Sequence, residues 1–246
     1  MNKFYLDAHM HFDLYKNRND ILNYVEENRV YTIAMTNLPE LYERYLTEYD
    51  WSKYKFCRLA LGFHPELICK YINQIVKFNM YITNARYVGE IGLDFKKSSD
   101  KERRTQIEAF ENIMYECKKI GNKIISIHSR SAVDETLRII GDVDNCKIIY
   151  HWYGGGGSQL KKIIEKGGYL SINHQMLNSI NGLKTIRRLP LDRLLLESDA
   201  PFTKGLSKQY STYFLDEIYE YLSFELKMSQ LEISKIVKEN FRRLLS

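Results

Sequence analysis

This sequence predicts a single α/β domain folded as a TIM (β/α)8 barrel, on three observations. The chain has 246 residues, the usual length for one such barrel. Eight short, nearly continuous apolar runs alternate with helical patterns at a step of about 25 to 30 residues, as parallel strands covered on both faces require. Side chains able to ligate a metal or move a proton close the first, third, fourth, fifth, sixth and eighth of these runs. A doubly wound open sheet is the runner-up. It would leave the first and eighth strands apart, whereas a barrel brings their ends to one place.

The first strand, Phe4–His11, ends in Asp7-Ala8-His9-Met10-His11. Residues two apart on a strand face the same side, so His9 and His11 aim at one point. The second strand is Val30–Thr36. The third, Phe56–Phe63, runs into Gly62-Phe63-His64-Pro65, and the fourth, Tyr87–Asp94, contains Gly89-Glu90-Ile91-Gly92-Leu93-Asp94. In the helix Asp100–Gly121 that follows, Ile107, Phe110, Ile113, Met114 and Cys117 recur at three- and four-residue steps, and Gly121 ends it. The fifth strand, Lys123–Ser129, carries Ile127-His128-Ser129-Arg130 and leads to a helix over Ser131–Ile140. The sixth, Cys146–Trp152, ends in Tyr150-His151-Trp152. A glycine loop, Gly154–Gly157, comes before a helix over Ser158–Gly167. Ser131 and Ser158 are the expected caps of these two helices. With no Lys-Ser or Lys-Thr after it, the glycine loop is not a phosphate loop of the P-loop kind. The seventh strand is Tyr169–Asn173 and the eighth Arg193–Ser198, closed by Glu197-Ser198-Asp199-Ala200-Pro201. Two helices end the chain: Thr212–Lys227 and, after a Ser229 cap, Gln230–Leu245.

The 36 basic and 31 acidic residues leave a formal charge of +5, which permits a polyanionic substrate without demanding one. Most of the 19 tyrosines are expected to pack half-buried. No apolar stretch is long enough to span a membrane, and Asp7, His9 and His11 leave no room for a signal-peptide core. Cys57, Cys69, Cys117 and Cys146 form no C-x-x-C pair, so they read as reduced, buried thiols of a cytoplasmic protein. No linker, repeat or low-complexity segment divides the chain.

Six side chains make a two-metal constellation. His9, His11 and Asp199 can hold one ion, and His128 and His151 a second. Glu90, at the end of the fourth strand, can bridge both through its two oxygens, which keeps two cations about 3.5 to 4 Å apart. Histidines ligate when neutral, so their far nitrogens need partners. Imidazole-rich sites suit Zn²⁺ or Mn²⁺, with Mg²⁺ available through abundance.

With D-x-H-x-H, G-x-H-P, G-E-I-G-L-D, I-H-S-R, H-W and E-S-D-x-P in this order along the whole chain, the sequence resembles the TatD family of metal-dependent deoxyribonucleases in the amidohydrolase superfamily. The resemblance implies a TIM barrel and a nuclease that acts on DNA, often trimming it from the 3′ end. By motif position it makes His9, His11 and Asp199 ligands of the first metal and Glu90, His128 and His151 of the second. His64 would contact the scissile phosphate. Segments such as Asp13-Leu14-Tyr15, Arg86–Glu90 and Leu170-Ser171-Ile172 with Met176-Leu177 are similar to the QatD branch of bacterial anti-phage systems. That likeness adds partner proteins of a defence system to the expectations. The chain departs from the family after Asp199: Lys204-Gly205-Leu206-Ser207-Lys208 stands where an Arg-Asn-x-Pro element is common, which puts the preferred nucleic acid in doubt. A partner protein is expected to act on the segment Lys204–Tyr213.

Phosphodiester hydrolysis follows as the expected reaction. Water is activated between two ions, Asp199 takes its proton, and His64, helped by Arg130, offsets charge on the phosphate. Arg130 could clamp a phosphate, and Trp152 and Tyr153 could stack on a base of single-stranded DNA. Lys96, Lys97, Arg103 and Arg104 follow the fourth strand and could attract phosphates. Glu197 is expected to orient a neighbour, and His174 to be structural. Two other readings stay open: a small-molecule amidohydrolase or lactonase on the same barrel, and a non-catalytic subunit of a defence complex. Against the first, no Lys occupies the strand-four position that would be carbamylated. The intact ligand set speaks against the second.

Overall fold

The computed structural model describes residues 3–246. Eight strands lie side by side in sequence order: β1 (Leu6–Met10), β2 (Tyr31–Ala34), β3 (Cys57–Leu59), β4 (Tyr87–Asp94), β5 (Lys123–Arg130), β6 (Cys146–His151), β7 (Tyr169–Ile172) and β8 (Leu194–Leu196). All laddered neighbours are parallel, in one run of three strands and one of five. Two seams join the runs. At β3–β4, Leu61 N donates to Tyr87 O at 3.0 Å and Gly89 N to Leu61 O at 2.9 Å. At β8–β1, Asp199 N donates to His9 O and His11 N to Ala200 O, both at 2.9 Å. The sheet therefore closes on itself, as a TIM barrel does, and the open-sheet reading is excluded.

The ladders are shorter than the apolar runs, most clearly at β3. Ala60 N still donates to β2 through Ala34 O at 2.8 Å, but the next amide, Leu61 N, turns to β4. Gly62 allows that exchange of partners. A Cβ there would sit 1.7 Å from Thr36 O and 2.7 Å from Glu90 N, so only glycine lets the three backbones approach.

Ten α-helices occur among the described residues: α1 (Arg18–Glu27), α2 (Pro39–Glu48), α3 (Pro65–Tyr71), α4 (Ile75–Tyr81), α5 (Asp100–Ile120), α6 (Val133–Ile140), α7 (Gly157–Glu165), α8 (Ile180–Arg188), α9 (Tyr213–Leu226) and α10 (Gln230–Leu245). Helix α5 buries Phe110, Ile113, Met114 and Cys117, the stripe its periodicity predicts. Its start is a capping box, with Ser99 N donating to Glu102 Oε2 at 2.8 Å. Ser229 caps α10 in the same way. The other two serine caps are corrected. Ser131 lies outside α6, at φ +57°, and Ala132 precedes the helix without a side-chain cap. Ser158 sits inside the first turn of α7, whose leading amide, Gly156 N, is met instead by Gln159 Oε1 at 2.7 Å. Cys57, Cys117 and Cys146 are buried and Cys69 is exposed, all of them free. Among the described residues no helix is long and apolar enough to cross a membrane.

Candidate metal centre

At the C-terminal end of the strands, where barrel active sites lie, two groups of donor atoms meet at Glu90. His9 Nε2 and His11 Nε2 are 3.2 Å apart, and Glu90 Oε2 lies 3.4 and 3.2 Å from them. Asp199 Oδ1 completes this group at 3.8 and 3.7 Å from the same nitrogens. Four ligands around a cation at 2.0–2.1 Å would be about 3.3–3.4 Å from one another, close to the spacing found. On the other side, Glu90 Oε1 lies 2.6 Å from His128 Nδ1 and 2.7 Å from His151 Nε2, with those nitrogens 3.3 Å apart. The first two are hydrogen-bond distances, shorter than the ligand spacing around a cation, so these three atoms would have to spread to hold one. The donor set, imidazole nitrogens with carboxylate oxygens, is able to bind a metal. The six residues expected from the sequence are all brought together here.

Supporting side chains set how each imidazole presents itself. Ser126 Oγ meets His9 Nδ1 at 2.8 Å, which leaves Nε2 for the centre. His9 also stacks on His151, with centroids 3.9 Å apart and planes at 12°. Asp94 Oδ2 takes His128 Nε2 at 2.9 Å while its Oδ1 accepts from Lys96 N at 3.0 Å. Glu197 accepts from Trp152 N at 2.8 Å and from the Ser171 hydroxyl, and its Oε1 is 3.8 Å from His151 Nδ1. It orients neighbours, as expected. Asp7 spans the β8–β1 seam, accepting from Ser198 N at 2.8 Å, Ser198 Oγ at 2.6 Å and Tyr210 OH at 2.8 Å. The sequence reading misses Asp94 and Ser126 as site residues, although a signal is there: each sits an even number of residues from Glu90 or His128 on its strand. The role of Asp7 depends on a contact 191 residues away and had no local signal.

The electrostatics follow from burial and from the crowd of imidazoles. Burial holds His9 well below the usual imidazole range, and the charge on His151 adds to this. Burial opposes ionisation of Glu90, yet His64, His151, His128 and His9 outweigh it and keep the carboxylate well below its ordinary range. Burial pushes Asp199 up to about 7 against the pull of His151 and His11. His64 is pushed down to about 4, chiefly by burial, and is neutral near pH 7.

A cavity of about 660 Å³ opens above the centre. His64 stands at the start of α3, its Nδ1 accepting from Glu66 N at 3.3 Å. The ring proton therefore sits on Nε2, 3.6 Å from Glu90 Oε2. Arg130, the last residue of β5, has a half-exposed side chain 3.7 Å from Asp94 Oδ2. Trp152 lines the cavity and is 37% exposed, so it is not a core residue. Tyr153 is buried and donates to Gly156 O at 2.8 Å. It packs, and the stacking expectation is corrected for this ring. His174 pairs with Glu217 at 2.7 Å, outside the centre. Lys96 reaches the cavity, while Arg103 donates to Phe95 O at 3.2 Å. Phe202, which no sequence pattern singled out, lines the cavity and meets His11 edge-on at 5.6 Å. The altered segment after β8 is held from within the chain: Tyr15 OH donates to Leu206 O, Tyr24 OH accepts from Thr212 N at 3.2 Å, and Tyr210 reaches Asp7.

The sequence profile described as TatD related DNase matches residues 6–246. A protein of Buchnera aphidicola from Acyrthosiphon pisum, described as an uncharacterized metal-dependent hydrolase, is 30% identical over 99% of both chains. The crystal structure of YJJV, a TatD homologue of Escherichia coli K12, matches with a TM-score of 0.81 at 22% identity, covering 98% of this chain and 97% of that one. A TatD family hydrolase of Entamoeba histolytica matches at 0.78 and 16% identity, over 99% and 98%. At such identities the two structures speak for the fold alone. With the profile spanning nearly the whole chain and the donor cluster at its centre, this protein belongs to the TatD family of metal-dependent hydrolases.

Proposed function

We propose that this protein is a metal-dependent deoxyribonuclease that hydrolyses DNA phosphodiester bonds from the 3′ end, using two divalent ions. One observation carries the reading: the two oxygens of Glu90 face two separate sets of imidazoles. His9, His11 and Asp199 would hold the first ion, His128 and His151 the second, with Glu90 shared. Ions of the Mg²⁺, Mn²⁺ or Zn²⁺ kind supply acidification of a water and neutralisation of charge on the phosphoryl oxygens.

The chain's own residues do the rest. Asp199, whose Oδ1 faces the first donor group beside His9 and His11, would take a proton from the attacking water. Neutral His64 donates from Nε2 to a phosphate oxygen as charge grows there. Arg130 pairs with a second oxygen from the rim, and Trp152 stacks on a base. Short-segment likeness to the QatD branch supports a place in anti-phage defence, in the cytoplasm and beside partner proteins.

The test is purified protein with end-labelled single- and double-stranded DNA and RNA, a metal series and EDTA, with bound metal counted by mass spectrometry. Metal-dependent shortening of DNA from the 3′ end is expected. Glu90→Ala and His128→Ala should abolish it with an unchanged circular dichroism spectrum. Wild-type turnover in either variant would overturn the two-ion reading.

A further inference from the structure

The mouth of the barrel is divided chemically. Over β3, β4 and β5 the cavity wall is polar, with His64, Lys96 and Arg130. Over β6 and β8 it carries two exposed aromatic rings, Trp152 and Phe202, beside polar residues such as Ser179 and Asn181. Glu90 and Asp199 line the cavity as well. Trp152 is 37% exposed and Phe202 60%. A single exposed aromatic ring needs no explanation, but two lining one cavity beside a cluster of imidazoles and carboxylates do.

Both rings are held by the centre itself. Trp152 directly follows His151, and its amide is fixed by Glu197. Its backbone is strained, at φ +36°, a conformation that is kept where the surroundings over-determine it. Phe202 N donates to Asp199 O at 2.8 Å, and its ring rests edge-on against His11. The two rings thus move with the donor atoms they flank.

We propose that Trp152 and Phe202 form a seat for the single nucleobase next to the scissile phosphate, while the β3–β5 wall takes the continuing sugar–phosphate. This rests on the nuclease reading above and adds to it which wall reads the base. Stacking on aromatic side chains is sequence-tolerant and changes affinity by about 5- to 150-fold per base.

The experiment compares two fluorescein-labelled single-stranded DNA decamers that differ only at the 3′-terminal residue, one with thymine and the other with an abasic tetrahydrofuran. Dissociation constants come from fluorescence anisotropy in EDTA, and kcat and KM from hydrolysis with Mn²⁺. The wild type should prefer the base-bearing strand at least five-fold, in Kd and in KM rather than in kcat. Phe202→Ala and Trp152→Ala should each bring the two strands within about two-fold, and Phe202→Tyr should keep the preference. Both rings are exposed, so circular dichroism should not change. No preference in the wild type, or a full preference in both alanine variants, overturns the seat. A preference in Kd with no hydrolysis under any metal sinks the nuclease reading and leaves the seat standing.

Discussion

Replacing Asp94 with asparagine changes one atom and should weaken one of the two proposed metal sites. The Asp94 carboxylate accepts on both oxygens, from His128 Nε2 at 2.9 Å and from Lys96 N at 3.0 Å. An amide can accept on only one. If the amide oxygen stays with Lys96, the NH₂ group faces His128 Nε2 and forces that nitrogen to accept. The ring proton then moves to Nδ1, the atom 2.6 Å from Glu90 that must be bare to ligate. If the amide rotates instead, Lys96 N–H is left facing a donor, at about 1–3 kcal/mol. Either route agrees with the 10–100-fold loss of metal affinity usual when a carboxylate behind a ligating histidine is removed. Calorimetric titration of EDTA-stripped Asp94→Asn with Mn²⁺ should show one of two binding events weakened by about 10–100-fold. The other should stay near its wild-type affinity. Two events at wild-type affinity would refute the argument, because the tautomer of His128 would then not depend on Asp94.

Two further outcomes concern stability. His64 has its proton affinity lowered from 6.5 to about 4 in the fold, so the unfolded chain protonates first as pH falls. The contribution of His64 to stability is therefore fully present above pH 6.5 and is lost between 6.5 and 4, by up to about 3 kcal/mol. Urea unfolding of His64→Gln should show a correspondingly shallower fall over that window, and an identical fall in both proteins would contradict this. Gly92 has φ +135° and a Cβ there would lie 2.0 Å from His128 O, whereas Gly205, at φ +95°, has nothing within 4 Å. Gly92→Ala should cost more than about 3 kcal/mol and Gly205→Ala only about 1 kcal/mol. Equal melting shifts would mean that β4 and β5 relax around the added methyl.

The legible parts of this fold are those written in local periodicity. β4 was read to the residue, Tyr87–Asp94, because both of its edges are marked by a change from apolar run to polar turn. β3 was overread, because its last residues exchange one neighbour for another and an apolar run does not say where its hydrogen bonds go. The caps at Ser131 and Ser158 failed for a related reason: serine favours a helix start but does not choose the residue. Six donor residues could be found because five lie near the C-terminal ends of strands that a barrel gathers; Glu90 sits mid-way along β4, Tyr87–Asp94, and not at its end as expected. Phe202 and the hydroxyls of Tyr15, Tyr24 and Tyr210 act across loops, where no period exists to betray them.

The two donor groups differ in when the chain can make them. β4, β5 and β6, which carry Glu90, His128 and His151, are consecutive in sequence and laddered to one another, so this group needs only the middle of the protein. His9 and His11 meet Asp199 only after the first strand has found the eighth, across the seam that Asp7 ties to Ser198. An ion on that side would act as a clasp. It binds only the closed ring, so it stabilises closure by mass action in proportion to its own concentration. Chelation should then loosen the barrel first where its two ends meet, and a chain still being synthesised could load one ion long before the other.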